Sequence, residues 1–118
     1  MSDFRKLHVW RKAHALALNS HRAASGIRGA EYASTRSQII RAALSIPTNI
    51  VEGRGQKSAK EQMKFIGYAI NSASELEHHL LVVRDLRKIS DSDFRSSRGQ
   101  LVEVRKMLHG LLNYLSGQ

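Results

Sequence analysis

The six histidines of this chain, His8, His14, His21, His78, His79 and His109, are its best-suited groups for acid, base or metal chemistry near neutral pH. Dinuclear metal sites in helical bundles take a Glu-x-x-His pair from each of two helices and a Glu from each of the other two. Glu75-Ser-Glu-His78 matches that spacing once, the last helical segment offers no second copy, and Asp3 is the only acid before Glu31. The ligand set cannot be completed within one chain, so neither a metal nor a cofactor is expected. A small helical ribonuclease is the other enzymatic alternative, since one class of these uses an Arg and a His separated by four to six residues on a late helix. Arg105 and His109, with three residues between them, fall outside that spacing. His109 also lies beside the apolar turn at Leu111 and Leu112, where a structural role is expected. Gly53-Arg54-Gly55-Gln56-Lys57-Ser58 has the composition of a phosphate loop but not the G-x-x-x-x-G-K-[ST] spacing, and no strand precedes it, so a nucleotide-hydrolysing loop is excluded. What remains there is an anion-binding surface. Arg54, Lys57, Lys60 and Lys64 surround the start of a helix, whose unpaired N–H groups attract phosphate.

Charge points the same way. Nineteen Lys and Arg against ten Asp and Glu give a formal net charge of +9 over 118 residues, which favours polyanionic partners such as RNA or DNA. The excess is concentrated near the start. Residues 1–28 carry Arg5, Lys6, Arg11, Lys12, Arg22 and Arg28 against Asp3 alone. The absence of cysteine rules out a disulfide framework, thiolate ligation and a cysteine nucleophile. The opening residues lack the apolar run of a signal peptide, and no segment approaches the roughly 20 apolar residues of a membrane span. A cytoplasmic chain with no membrane partner is expected.

Four helical periodicities separated by three breaks must position these groups. They predict an all-α fold, a single domain over residues 1–118, arranged as an antiparallel up-down-up-down four-helix bundle. The first helix is expected from about Lys6 to Ala24, with Leu7, Trp10, Ala13, Leu16 and Ala17 inward. The second covers Ser37 to Gly55, with Ile39, Ile40, Ala43, Leu44, Ile46, Ile50 and Val51 on one face at about 100° per residue. Pro47 should kink it near Ala43, because a helical proline removes a hydrogen bond and crowds the preceding turn. Gly53 is placed to end it in the left-handed conformation. The third helix opens at the capping box Ser58-Ala59-Lys60-Glu61 and is expected to run to about Lys88. The fourth begins near Ser90 or Asp91, with Phe94, Leu101, Val104, Leu108, Leu111 and Leu115 at three-four spacing.

The third helix is apolar on two sides: Met63, Ile66, Ile70, Ala73 and Leu80 form one stripe, widened by Phe65, Ala69, Ser72, Leu76 and Val83. Two neighbours within the bundle would account for this, and so would self-association. Gly67, Gly99 and Gly110 stand in helix interiors at a cost of about 1 kcal/mol each relative to Ala, which points to close backbone approach within or between protomers. The polar face of the second helix, Gln38, Arg41, Ser45, Thr48, Asn49 and Glu52, is rich in short hydrogen-bonding groups. Arg41 and Glu52 at its ends are expected to pair with another segment. Glu77 falls on the apolar stripe of the third helix, where a charge is costly unless paired. Arg41 and Arg84 are the expected partners, in a structural ion pair.

These residues resemble a known family. Phe4, Leu7, Trp10 and Ala13, then Gln38, Arg41, Ala42, Ser45, Ile46, Asn49, Ile50, Glu52 and Gly53, then Ala69, Ser72, Glu75, Leu76 and Glu77 are similar to the four-helix bundle proteins encoded in 23S rRNA intervening sequences, the ribosomal S23-like proteins. The resemblance spans nearly the whole chain. It implies an up-down bundle, in some members a homopentamer, with no shared enzymatic activity and hence no catalytic residues to carry over. A related group, the accessory variability determinants of diversity-generating retroelements, binds nucleic acid and a reverse transcriptase through a basic pentameric surface. The basic first helix is closer to that group, whereas Val51 stands where relatives often have Ala before Glu-Gly. The function expected is a noncatalytic oligomeric scaffold that binds nucleic acid or a reverse transcriptase. Its contacts are Arg5, Lys6, Arg11 and Lys12, with Arg54, Lys57, Lys60 and Lys64 as a second patch. A scaffold for proteins alone is the remaining alternative.

Overall fold

Each of the four amphipathic segments becomes a helix, and the residues that cap them set their limits. In the computed structural model, which describes residues 3–118, a 3-10 turn at Phe4–Lys6 precedes α1 (His8–Ser25). A second turn at Ala30–Tyr32 leads into α2 (Ala33–Arg54), followed by α3 (Ala59–Asp85) and α4 (Asp91–Ser116). Residues 1 and 2 of the domain expected over 1–118 lie outside the described residues. The Ser58 hydroxyl accepts from the Glu61 N–H at 3.1 Å, and the Ser90 hydroxyl from the Asp93 N–H at 3.0 Å. Each such cap satisfies one of the N–H groups that a helix start leaves unpaired.

Side-chain pairs give the direction of each helix. Lys12 meets Glu103, Asn19 meets Gln100 and Arg22 meets Asp93, so numbers rise along α1 as they fall along α4. Ser45 meets Ser72 and Gly53 faces Phe65, which sets α2 against α3. Glu77 meets Arg105 while Arg84 covers Phe94, which sets α3 against α4. Leu7 and Val9 share a cavity with Ile50 and Gly53, placing the start of α1 beside the end of α2. The result is an up-down-up-down bundle of 47 × 22 × 21 Å. Its core is made by Leu16, Ile39, Ile46, Ile50, Leu76, Leu80, Leu101 and Leu108, all fully buried. Each such side chain contributes about 1.5–3 kcal/mol over leaving it in water.

Four expectations need correction. The first helix is interrupted at Leu7, whose extended backbone separates the Phe4–Lys6 turn from α1. Leu44 is not inward but exposed; α2 packs between α1 and α3, and the buried band passes through Ala42 and Pro47 instead. Gly53 is not a left-handed terminus. It lies buried inside α2, where an added Cβ would stand 3.2 Å from the Phe65 Cβ, so its use is close approach of α3, and Gly55 caps the helix. The third helix stops at Asp85 rather than near Lys88. Arg87 takes φ 59° and Lys88 N–H donates to the Val83 carbonyl at 2.8 Å, the left-handed closure usually made by glycine. Helix α2 runs through the buried Pro47 without a break, and the Thr48 hydroxyl donates to the Leu44 carbonyl at 2.8 Å.

Candidate functional site

The antiparallel order carries the start of α1, the end of α2 and the start of α3 to one end of the bundle, and with them both groups of cations. Asp3 caps the first turn, accepting from the Arg5 N–H at 3.0 Å, and its carboxylate takes the Arg5 guanidinium in two parallel contacts of 3.0 and 2.9 Å. The hydrogen bond from Arg5 holds the Asp3 carboxyl below its usual range. Phe4 packs edge-on against Trp10, which stacks on His14, so the turn that bears Arg5 and Lys6 is pinned to the helix behind it. On the other side, the Gln62 side chain donates to the Gln56 carbonyl at 2.9 Å. That bond folds the loop bearing Lys57 over the start of α3.

Lys6, Arg11, Lys57 and Lys60 are exposed, as is Arg54. Lys12 reaches Glu103 at 3.2 Å and Lys64 reaches Glu61 at 3.7 Å. Exposed pairs of this kind are worth only about 0–1 kcal/mol, so a phosphate can displace them. The two groups do not form one stripe. Helix α1 packs on α2 and α4, and α3 on the same two, so α1 and α3 stand diagonally and the two groups of cations flank the end from opposite corners, while the last turn of α4 carries none. The core opens between them. Leu7, Met107 and Leu111 are only partly buried there and border an apolar cavity of about 160 Å³, which no pattern along the chain could have located.

Ser45 of the polar face of α2 meets α3, Asn49 beside it is partly buried, and Gln38, Arg41, Thr48 and Glu52 are exposed. Ser45 and Ser72 hydroxyls lie 2.8 Å apart, and the Asn49 amide donates to the Ser45 carbonyl and hydroxyl at 2.9 and 3.0 Å. Together with Gln38, Arg41, Glu75 and His79 the two serines line an open groove of about 560 Å³. Burial, reinforced by the neighbouring His78 and opposed by Glu75, pushes the His79 imidazole below its ordinary value. The expected pairing of Arg41 and Glu52 is not made, since neither takes part in an ion pair among the described residues.

Glu77 is paired, but not with Arg41 or Arg84. Its carboxylate accepts from Arg105 at 2.9 Å and from Arg98 at 3.2 Å. Arg84 instead lies over the Phe94 ring and contacts Asp85. A residue one heptad along the same helix stands about 10 Å away, too far to reach back, whereas α4 runs alongside and brackets Glu77 with two arginines. The Arg105 hydrogen bond, helped by Arg98 and opposed by partial burial, holds the Glu77 carboxyl below the ordinary glutamate range. The pair therefore also occupies Arg105. His109 is exposed rather than tucked into the apolar turn. Among the described residues no three His, Asp or Glu side chains are grouped to hold a metal ion. Sequence reasoning overlooked Asn19, whose amide donates to Ser96 and Gln100 at 3.0 and 2.8 Å; a lone Asn among the alanines of α1 was the available signal.

Residues 5–110 match the family model described as 23S rRNA-intervening sequence protein. A crystal structure of a protein of unknown function from the S23 ribosomal protein family, from Bacteroides thetaiotaomicron, superposes with a TM-score of 0.82 at 21% identity. The match covers 88% of this chain and 97% of that one, a likeness of fold. No curated protein matches. No helix among the described residues is long and apolar enough to cross a membrane.

Proposed function

Because the chain belongs to the 23S rRNA-intervening sequence protein family, we propose that it is a noncatalytic homo-oligomeric scaffold that binds nucleic acid through its basic end. A ribonucleoprotein or reverse transcriptase would dock on that same end. The observation that carries this reading is the gathering of Arg5, Lys6, Arg11 and Lys12 with Arg54, Lys57, Lys60 and Lys64 around one end of a chain with a formal charge of +9. Cations of this kind contact phosphates and fix position without reading bases. Self-association is supported by surfaces the protomer leaves uncovered, and five copies is the number that the family resemblance implies. Leu18, Leu44 and Tyr68 are exposed, and a Cβ added to Gly67, Gly99 or Gly110 would meet no atom within 4 Å. Close approach inside the protomer therefore does not require these glycines, which leaves them open to approach by a neighbouring copy. Five copies of a +9 chain carry +45.

The test is binding to single-stranded RNA and to duplex DNA by fluorescence anisotropy across a salt series, with mass measured in solution. With 6–10 phosphate contacts, affinity should fall roughly 10³–10⁵-fold between about 50 and 200 mM salt. A monomer with no affinity for either polymer in dilute salt refutes the proposal. RNA cleavage that is lost in His109→Ala would replace it with a ribonuclease.

A further inference from the structure

We propose that the cavity at the basic end is a binding site for a single-chain aliphatic carboxylate. Its walls are hydrocarbon: Leu7, Ile50, Ile66, Met107, Leu111 and Leu115. Its volume is about 160 Å³, close to the size at which an apolar protein cavity stays dry and accepts a benzene-sized guest, so roughly six carbons fit. The cavity is not sealed, because Leu7, Met107 and Leu111 are only partly buried.

The rim has the opposite character. Lys6, exposed at the end of the Phe4–Lys6 turn, directly precedes the wall residue Leu7, and Arg54 forms part of the wall. Gln62, also in the wall, donates to the Gln56 carbonyl at 2.9 Å, and the exposed Lys57 is the next residue along that loop. An apolar interior with a cationic edge complements a ligand that is hydrocarbon at one end and anionic at the other. A nucleobase would bring several polar ring atoms into walls that offer Gln62 and Arg54 alone, and a diacyl lipid is far too large. The site needs neither nucleic acid nor a second copy of the chain, so it stands or falls apart from the function proposed above.

The experiment is an NMR titration of the intact protein with butanoate, hexanoate, octanoate and decanoate. Each methylene that enters the cavity should tighten binding about fourfold, and the gain should stop near octanoate. Amide shifts should centre on Ile66, Met107 and Leu111. Octanol, lacking the charge, should bind more weakly than octanoate, and Lys6→Gln with Lys57→Gln should remove that difference. Leu111→Phe, which fills the space, should abolish binding while circular dichroism remains helical; the chain-length series on the unaltered protein decides the matter if that variant does not fold. Affinity independent of chain length, shifts scattered over the surface, or equal binding of octanol and octanoate would each overturn the proposal.

Discussion

Replacing Glu77 by Gln should destabilise the bundle by about 1–2 kcal/mol at pH 7 and by almost nothing at strongly acidic pH. Glutamine keeps the shape but carries no charge, and its single carbonyl oxygen can accept from only one of the two arginines while its NH2 group faces the other. Bonds to charged groups contribute about 1.5–3 kcal/mol and neutral ones about 0.5–1.5. The Arg105 bond counts most, since Glu77 and Arg105 side chains are 20% and 26% exposed, whereas Arg98 is 51% exposed and its share is screened. The pH dependence has a definite sign. The folded protein holds the Glu77 carboxyl below its ordinary value, so the unfolded chain binds that proton more readily. The stabilisation is complete above the ordinary glutamate range and is lost as pH falls through the lowered, folded value. Chemical denaturation of the unaltered protein and of Glu77→Gln between about pH 2 and 7, at one protein concentration, measures the difference directly. A gap that stays constant across that range, or is absent at pH 7, would show that the two arginines do not act on Glu77 as described.

The glycines divide by their surroundings. Gly53→Ala should cost about 1–2 kcal/mol, because its methyl would crowd the Phe65 Cβ at 3.2 Å and the Gln62 carbonyl at 3.4 Å by more than the helix propensity returns. Gly67→Ala and Gly99→Ala meet no atom within 4 Å and should each raise protomer stability by up to about 1 kcal/mol; urea denaturation under dissociating conditions distinguishes the two cases. Ser58→Ala removes the α3 cap and should cost about 1 kcal/mol, read as a lower urea midpoint with an unchanged slope. Substituting Lys57, Lys60 and Lys64 together by Gln should reduce the slope of log affinity for duplex DNA against log salt by about 2.7, or about 0.9 for each phosphate that is no longer neutralised.

The helices were legible because their signals are local. Ser58 and Ser90 announce the starts of α3 and α4 through hydrogen bonds that span three residues, and the spacing of Leu101, Val104 and Leu108 fixes the buried side of α4. What the sequence hid depends on neighbours. Leu44 and Ala42 are two positions apart, and only the placement of α1 and α3 decides that the alanine faces inward. Gly53 carries the same local signal whether it ends a helix or admits another helix to close range. Arg87 ends α3 with a backbone conformation that its side chain does not advertise. The two basic groups were readable as residues, but their meeting at one end followed from topology. The partners of Glu77 could not be found by counting along its own helix, since they belong to the next one.

Arg98 and Arg105 stand seven residues apart on α4 and grip a single carboxylate on α3 from both sides. Sliding α4 lengthwise by one turn, about 5.4 Å, would carry one arginine towards Glu77 while pulling the other out of reach. Longitudinal slip in either direction is thus resisted, as by a detent with two stops. Under any load along its length, this helical pair should yield by splaying or twisting as one body rather than by shifting its register.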